Sequence, residues 1–278
     1  MTITISAVES PLAPTPEPRD PATRSGQGRR LAPDLLRSEW EKLRSIRTTF
    51  WSLTIAVVAM VGISAIVAAV HTSGSGQGFD ALSGTFTGVL LAQLAIGVLG
   101  VLTITSEYST GMIRSTFIGA PQRRAVIAAK AGIAGLIAFV VGTVASFVAF
   151  FVSSAILSSH GVHLSLGSPG ALRSVIGVGL FLGILAVLAV ALGTIIRSSA
   201  GGIAALVGLL LVLPTLSQAI PTSIRGSVEK FLPANAGQAV FLHTDTGSLS
   251  PWIGLLVFAA YALAGLALAL FMVRRRDA

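Results

Sequence analysis

Residues 105–130 read TSEYSTGMIRSTFIGAPQRRAVIAAK. Two long apolar runs meet here, and Glu107, Arg114, Arg123, Arg124 and Lys130 separate them. A chain that breaks between two such runs is crossing a bilayer, because a spanning helix needs about 20 mostly apolar residues. Outward from this break the same pattern repeats, giving six runs near 50–70, 84–104, 131–157, 174–196, 201–220 and 252–273. The third is long enough to tilt or to project beyond the hydrocarbon. Only RSSAGG, with Arg197 at its head, joins the fourth to the fifth. Composition agrees: 53% of the 278 residues are hydrophobic and 11% are charged, too little polar surface for a soluble protein of this size. The fold class is an all-α integral membrane protein with six transmembrane helices. The absence of cysteine excludes disulfides, thiolate metal sites, Cys nucleophiles and Cys-linked lipid anchors.

The formal charge of +8 does not point to nucleic acid, because the basic residues flank apolar runs and suit anionic lipid headgroups. Of the 19 Lys and Arg residues, only Arg173, Arg225 and Lys230 fall on the side opposite the termini. The positive-inside rule therefore places both termini, and residues 105–130, in the cytoplasm. The N-terminal region does not read as a signal peptide, since its first apolar run starts only near Phe50, after a charged tail. Residues 1–32 carry Pro11, Pro14, Pro16, Pro18 and Pro21 with few large apolar groups and read as a disordered cytoplasmic tail. Over 33–49, Leu36, Trp40, Leu43 and Arg47 recur at helical spacing behind Pro33 and Asp34, which suit a first helical turn. This predicts an amphipathic interfacial helix with Trp40 in the headgroup region. Residues 50–278 form the six-helix domain.

Several functions are excluded. There is no G-x-x-x-x-G-K-[S/T] loop and no Gly-Lys dipeptide, so the chain shows no P-loop. The six runs as drawn hold no Asp, Glu, Lys, Arg or His. That argues against a self-powered carrier, which needs ionisable groups in the membrane, but not against a passive channel. Gln93, Thr143 and Ser146 are the polar exceptions and are expected to hydrogen-bond between helices. Gly84/Gly88 and Gly179/Gly183 have the spacing that lets helices approach closely. His71, His160, His163 and His243 fall in outer connections, which excludes a Ser–His protease within the membrane. No carboxylate or thiol pattern supports a metal site at His160 and His163.

The opening segment has its own pattern. Tyr108, Met112 and Thr116 align at i, i+4, as do Ile113 and Phe117, while Glu107 and Arg114 project elsewhere. Gly119-Ala120-Pro121 ends the pattern. This predicts a short amphipathic helix over about 106–118, able to press an apolar face into a partner's groove. Residues 221–250 form the other long connection. Ile224, Val228, Phe231 and Leu232 have helical spacing, Pro233 breaks that helix, and Asn235 is expected to cap a second one.

SEYSTGMIR, with Glu107, Tyr108, Gly111, Ile113 and Arg114, resembles the E-[YF]-x-x-G-x-[IL]-[RK] segment of ABC-2 type transporter permeases. LRSEWEKLRSIRTTFW at 36–51 is similar to the opening of actinobacterial members, and FLPANAGQAVF at 231–241 to their last outer loop. The resemblance implies a type V exporter-like permease fold in which two six-span halves pair, as a homodimer or heterodimer, and dock ATPase subunits. It implies that Glu107, Tyr108, Gly111, Met112, Ile113, Arg114 and Phe117 belong to a coupling helix. Leu36, Trp40, Leu43 and Arg47 would anchor the interfacial helix, and Phe231, Pro233, Asn235 and Gln238 would form an outer-loop gate that dips into the outer leaflet. With no ATPase domain in the chain, a separate cytosolic ATPase is implied, with ATP and Mg on that subunit and no cofactor on this one. The chain would be no enzyme itself, and would lie in a bacterial plasma membrane. It lacks the large outer domain of macrolide-type exporters. The expected function is the permease of an ATP-driven exporter. The alternatives are a non-transporting membrane anchor or sensor, and a passive channel. An uncharged pathway favours amphiphilic or lipid-like cargo.

Overall fold

The computed structural model describes residues 47–72, 80–110, 123–242 and 249–276. The expected disordered tail, the interfacial residues Leu36, Trp40 and Leu43, and the coupling residues Gly111, Met112, Ile113, Arg114 and Phe117 lie outside the described residues.

Among the described residues every regular element is a helix. α1 (Arg47–Thr72) is followed by a short α2 (Ala81–Thr85) and by α3 (Val89–Ser109). Then come α4 (Arg123–Ser158), α5 (Ala171–Ile196) and α6 (Ser199–Val207). A π-helical turn (Gly208–Val212) leads into α7 (Leu213–Ser217), and α8 (Thr222–Glu229), α9 (Pro233–Gln238) and α10 (Pro251–Arg276) follow. Among the described residues, six segments are long and apolar enough to cross a membrane: Thr49–Val70, Ala81–Ser109, Arg124–Ser158, Ala171–Ile196, Ser199–Ser217 and Pro251–Arg275. The bundle has a near end, where α1 starts and α3 stops, and a far end that carries α8 and α9.

Two spans differ from their expected bounds. The second reaches Ser109, past Glu107, and the third starts near Arg123 rather than at 131. Hydropathy alone stops a span at the first charge. A helix continues as long as its backbone bonds are made, and a charged side chain on it is tolerated where an opposite charge meets it. The fifth span is interrupted rather than straight. The Leu213 N–H donates to Gly208 O, five residues back, and Pro214 has no N–H to offer. The carbonyl of Leu209 is thus passed over in both helical registers, a local irregularity of the kind associated with bends.

The core is built around α5. In its most apolar stretch 72% of the residues are buried, against 22%, 17% and 22% for the first, fifth and sixth spans. It packs on α3, α4, α6, α9 and α10. Glycine makes the tightest of these approaches. A Cβ placed on Gly183 would lie 3.0 Å from Gly135 O, and one on Gly135 would lie 3.2 Å from Gly183 O. The α4 and α5 backbones therefore touch, which is the use expected of Gly179/Gly183. Of the three polar residues expected to bridge helices, only Ser146 does so, donating to Val175 O at 2.8 Å. Thr143 donates within its own helix to Phe139 O. Gln93 is fully buried, and neither amide atom has a hydrogen-bond partner among the described residues.

Candidate functional site: a charged junction at the near end

Thr105, Glu107 and Tyr108 lie in the last turns of α3. A helix advances about 100° per residue, so Glu107 projects from nearly the opposite side to Thr105, with Tyr108 closer to Thr105. Glu107 reaches α4, whereas Thr105 and Tyr108 reach the turn between α5 and α6.

Lys130, on the third turn of α4, donates to Glu107 Oε1 at 2.7 Å. The two side chains are 3% and 10% exposed. Taking a carboxylate and an ammonium out of water is costly, ideally about 20 kcal/mol per ion before relaxation. Neither charge would be stable here without a counter-charge, and leaving one unpaired costs about 3–5 kcal/mol. The pair therefore fixes which turn of α4 stands beside the end of α3.

On the other side, the guanidinium of Arg197 lies 5.2 Å from the centroid of the Tyr108 ring, a cation–π contact of about 0.5–2 kcal/mol. Arg197 closes α5 in a left-handed conformation (φ 59) and donates its N–H to Gly193 O at 2.9 Å. That turn reverses the chain at once, and the Ser198 side chain caps α6 by accepting from the Gly201 N–H. The next residue, Ser199, donates to Thr105 Oγ1 at 2.8 Å, and Thr105 donates in turn to Val101 O. Small residues permit this proximity: a Cβ on Gly202 would stand 2.7 Å from Val101 Cγ1, and one on Gly193 would stand 2.8 Å from Ile104 Cγ2. The end of α3 is held to α4 on one side and to the α5–α6 turn on the other.

This arrangement revises two expectations. The short helix expected over 106–118 does not begin at Ser106, because residues 106–109 complete the spanning helix and Thr110 follows in a turn. Glu107, expected on that short helix, faces inward instead. The second run as drawn stopped at residue 104 and the third began at 131, so both charged partners fell just outside them. No sequence signal links Glu107 to Lys130, 23 residues away.

At the far end, α9 and the turn between α8 and α9 carry the residues expected to form a gate. Phe231 is exposed, Pro233 is buried, and Asn235 and Gln238 are partly buried. Asn235 does not cap α9. Leu232 occupies the cap position in an extended conformation, Pro233 is the first helical residue, and Asn235 lies inside the helix. Proline is favoured at that first position and forces its predecessor to extend, so it decided the boundary over the capping preference of asparagine. Gly237 packs against Phe181 and Phe258, with a Cβ there only 2.7 Å and 2.9 Å from the two rings. These residues lie ten and seven positions inside α5 and α10, or about 15 and 10 Å along the helices. α9 thus sits below the helix ends. The Phe181 ring stacks on Phe258 at 5.1 Å and meets Phe241 at 5.5 Å. The Tyr261 hydroxyl donates to Phe231 O at 3.2 Å.

A family model described as ABC-2 family transporter protein matches residues 35–224. The chain belongs to the ABC-2 transporter family. As a member it is a permease component of an ABC transporter, a multi-pass membrane protein and a non-enzymatic membrane subunit. The matched ABC-2 region contains the whole Glu107–Lys130–Arg197 junction, while α9 and α10 lie beyond it. No curated protein matches the chain.

Proposed function

We propose that this ABC-2 permease is the pathway-forming half of an exporter, paired with a second six-span half and driven by a separate cytosolic ATPase that carries ATP and Mg. On this reading the near end faces the cytoplasm of a bacterium and receives the ATPase on the connection that follows α3, at residues 110–118. The charge bias between the two sides supports that orientation. The observation that carries the proposal is the junction: a permease with no P-loop needs a rigid place to accept work, and the matched region supplies one where α3 and α4 meet. α8 and α9 act as the outer gate, supported by the position of α9 below the helix ends. Cargo is amphiphilic, in keeping with a membrane interior lined by apolar and small residues.

The test is co-purification with candidate P-loop ATPase subunits from the same genome, followed by phosphate release in nanodiscs. The expected result is a stable complex whose ATP hydrolysis rises on joining the permease. Met112→Ala and Phe117→Ala should weaken the complex, because burial of each such side chain contributes about 1.5–3 kcal/mol. A permease that neither binds nor stimulates the ATPase would end the exporter reading.

A further inference from the structure

We propose that Glu107 and Lys130 are positioning residues: a charge clamp that makes the near ends of the second and third spans move as one body. The inference rests on the exporter reading for its purpose, but its geometry stands apart from it. Glu107 resembles part of the segment expected to meet the ATPase, yet its side chain is turned into the bundle and bonded to Lys130 at 2.7 Å. Both side chains are nearly removed from solvent, so Glu107 is badly placed to greet a docking partner.

The chain between Glu107 and Lys130 leaves α3 and returns to α4. If the ends of the two helices were joined only by apolar packing, a push on that connection could slide one past the other, because apolar contacts carry little directional preference. A buried ion pair differs. Moving either partner by one turn, about 5.4 Å, would break the 2.7 Å bond between them, so the pair favours a single register. Thr105–Ser199 and Tyr108–Arg197 extend the same body to the α5–α6 turn. Force entering beside α3 is then delivered to the second, third, fourth and fifth spans together.

Two measurements test the clamp. The first uses the purified permease alone, in detergent, and reads thermal unfolding. Glu107→Gln and Lys130→Gln should each lower the midpoint by several degrees, Lys130→Arg should lower it little, and the exchange Glu107→Lys with Lys130→Glu should recover most of the loss. An exchange no better than the worse single variant would overturn the pair as a structural unit. The second uses the complex with the ATPase subunit that co-purifies with the permease. Each single neutralisation should keep docking within about twofold of wild type and cut permease-stimulated hydrolysis about tenfold, in the range of ordinary coupling between sites. The decisive variant is Glu107→Met with Lys130→Met, which should dock and remain folded but stay uncoupled. Full stimulation in that double variant, or loss of docking in the single ones, would refute the clamp. If the wild-type chain binds no ATPase at all, the exporter reading fails, and the exchange experiment still decides whether the pair is a unit.

Discussion

Gln93 shows what a single residue can disclose. Its side chain is fully buried and makes no hydrogen bond among the described residues. An unsatisfied buried amide costs about 1–3 kcal/mol, and leucine has nearly the same bulk without that penalty. Gln93→Leu should therefore raise the unfolding midpoint of the purified permease, whereas Gln93→Ala should lower it by opening a cavity. A lower midpoint for Gln93→Leu would mean that the amide is bonded in the working state. Residues of this kind were only half legible in the sequence. A glutamine in an apolar run announces itself, but whether a partner meets it depends on which faces pack. Ser146 finds a carbonyl on α5 and Thr143 finds one on its own helix, although both had been read the same way. Glu107 and Lys130 were harder still, because each looked like the polar edge of its own run.

At the scale of elements, the existence of the spans was plain, because a run of about 20 apolar residues has few other uses. The ends were not plain, because a helix end is set by backbone bonding and caps rather than by hydropathy. α9 illustrates the same conflict, with Pro233 prevailing over Asn235 in setting where the helix begins. This changes the expected behaviour of the outer connection. Asn235→Ala removes no cap, so it should leave stability within about 0.5 kcal/mol, as for an ordinary partly exposed site. Tyr261→Phe removes the hydroxyl that holds Phe231 O, a bond with a net contribution of about 0.5–1.5 kcal/mol. Hydrogen exchange should then quicken over 222–238 in Tyr261→Phe and not in Asn235→Ala. Equal exchange in both variants would show that the tether does not hold the α8–α9 segment in place.

For the whole molecule, the charge bias sets a sense of insertion that labelling can read directly. The chain has no cysteine, so single thiols can be introduced without background. Ser165 lies exposed at the far end and Thr110 exposed at the near end. In intact cells Ser165→Cys should react with an impermeant maleimide, and Thr110→Cys should react only after the membrane is opened. Reaction of Thr110→Cys from outside would reverse the orientation and move the junction away from any cytosolic engine.

The central place of α5 bears on how the protein is made. Synthesis delivers this helix as the fourth of the six described spans, yet α10, which covers one of its sides, follows as the sixth. Between completion of Ile196 and arrival of Arg276 the ribosome must add the intervening chain, which at about 5–20 residues per second takes on the order of 4–16 s. Throughout that interval the Phe181 ring, which ends stacked on Phe258, waits without its lid. The newborn bundle is therefore a half-dressed intermediate for seconds at a time. A chain that stalls before its last helix presents quality-control proteases with a recognisable unfinished seam, on the very helix around which everything else is arranged.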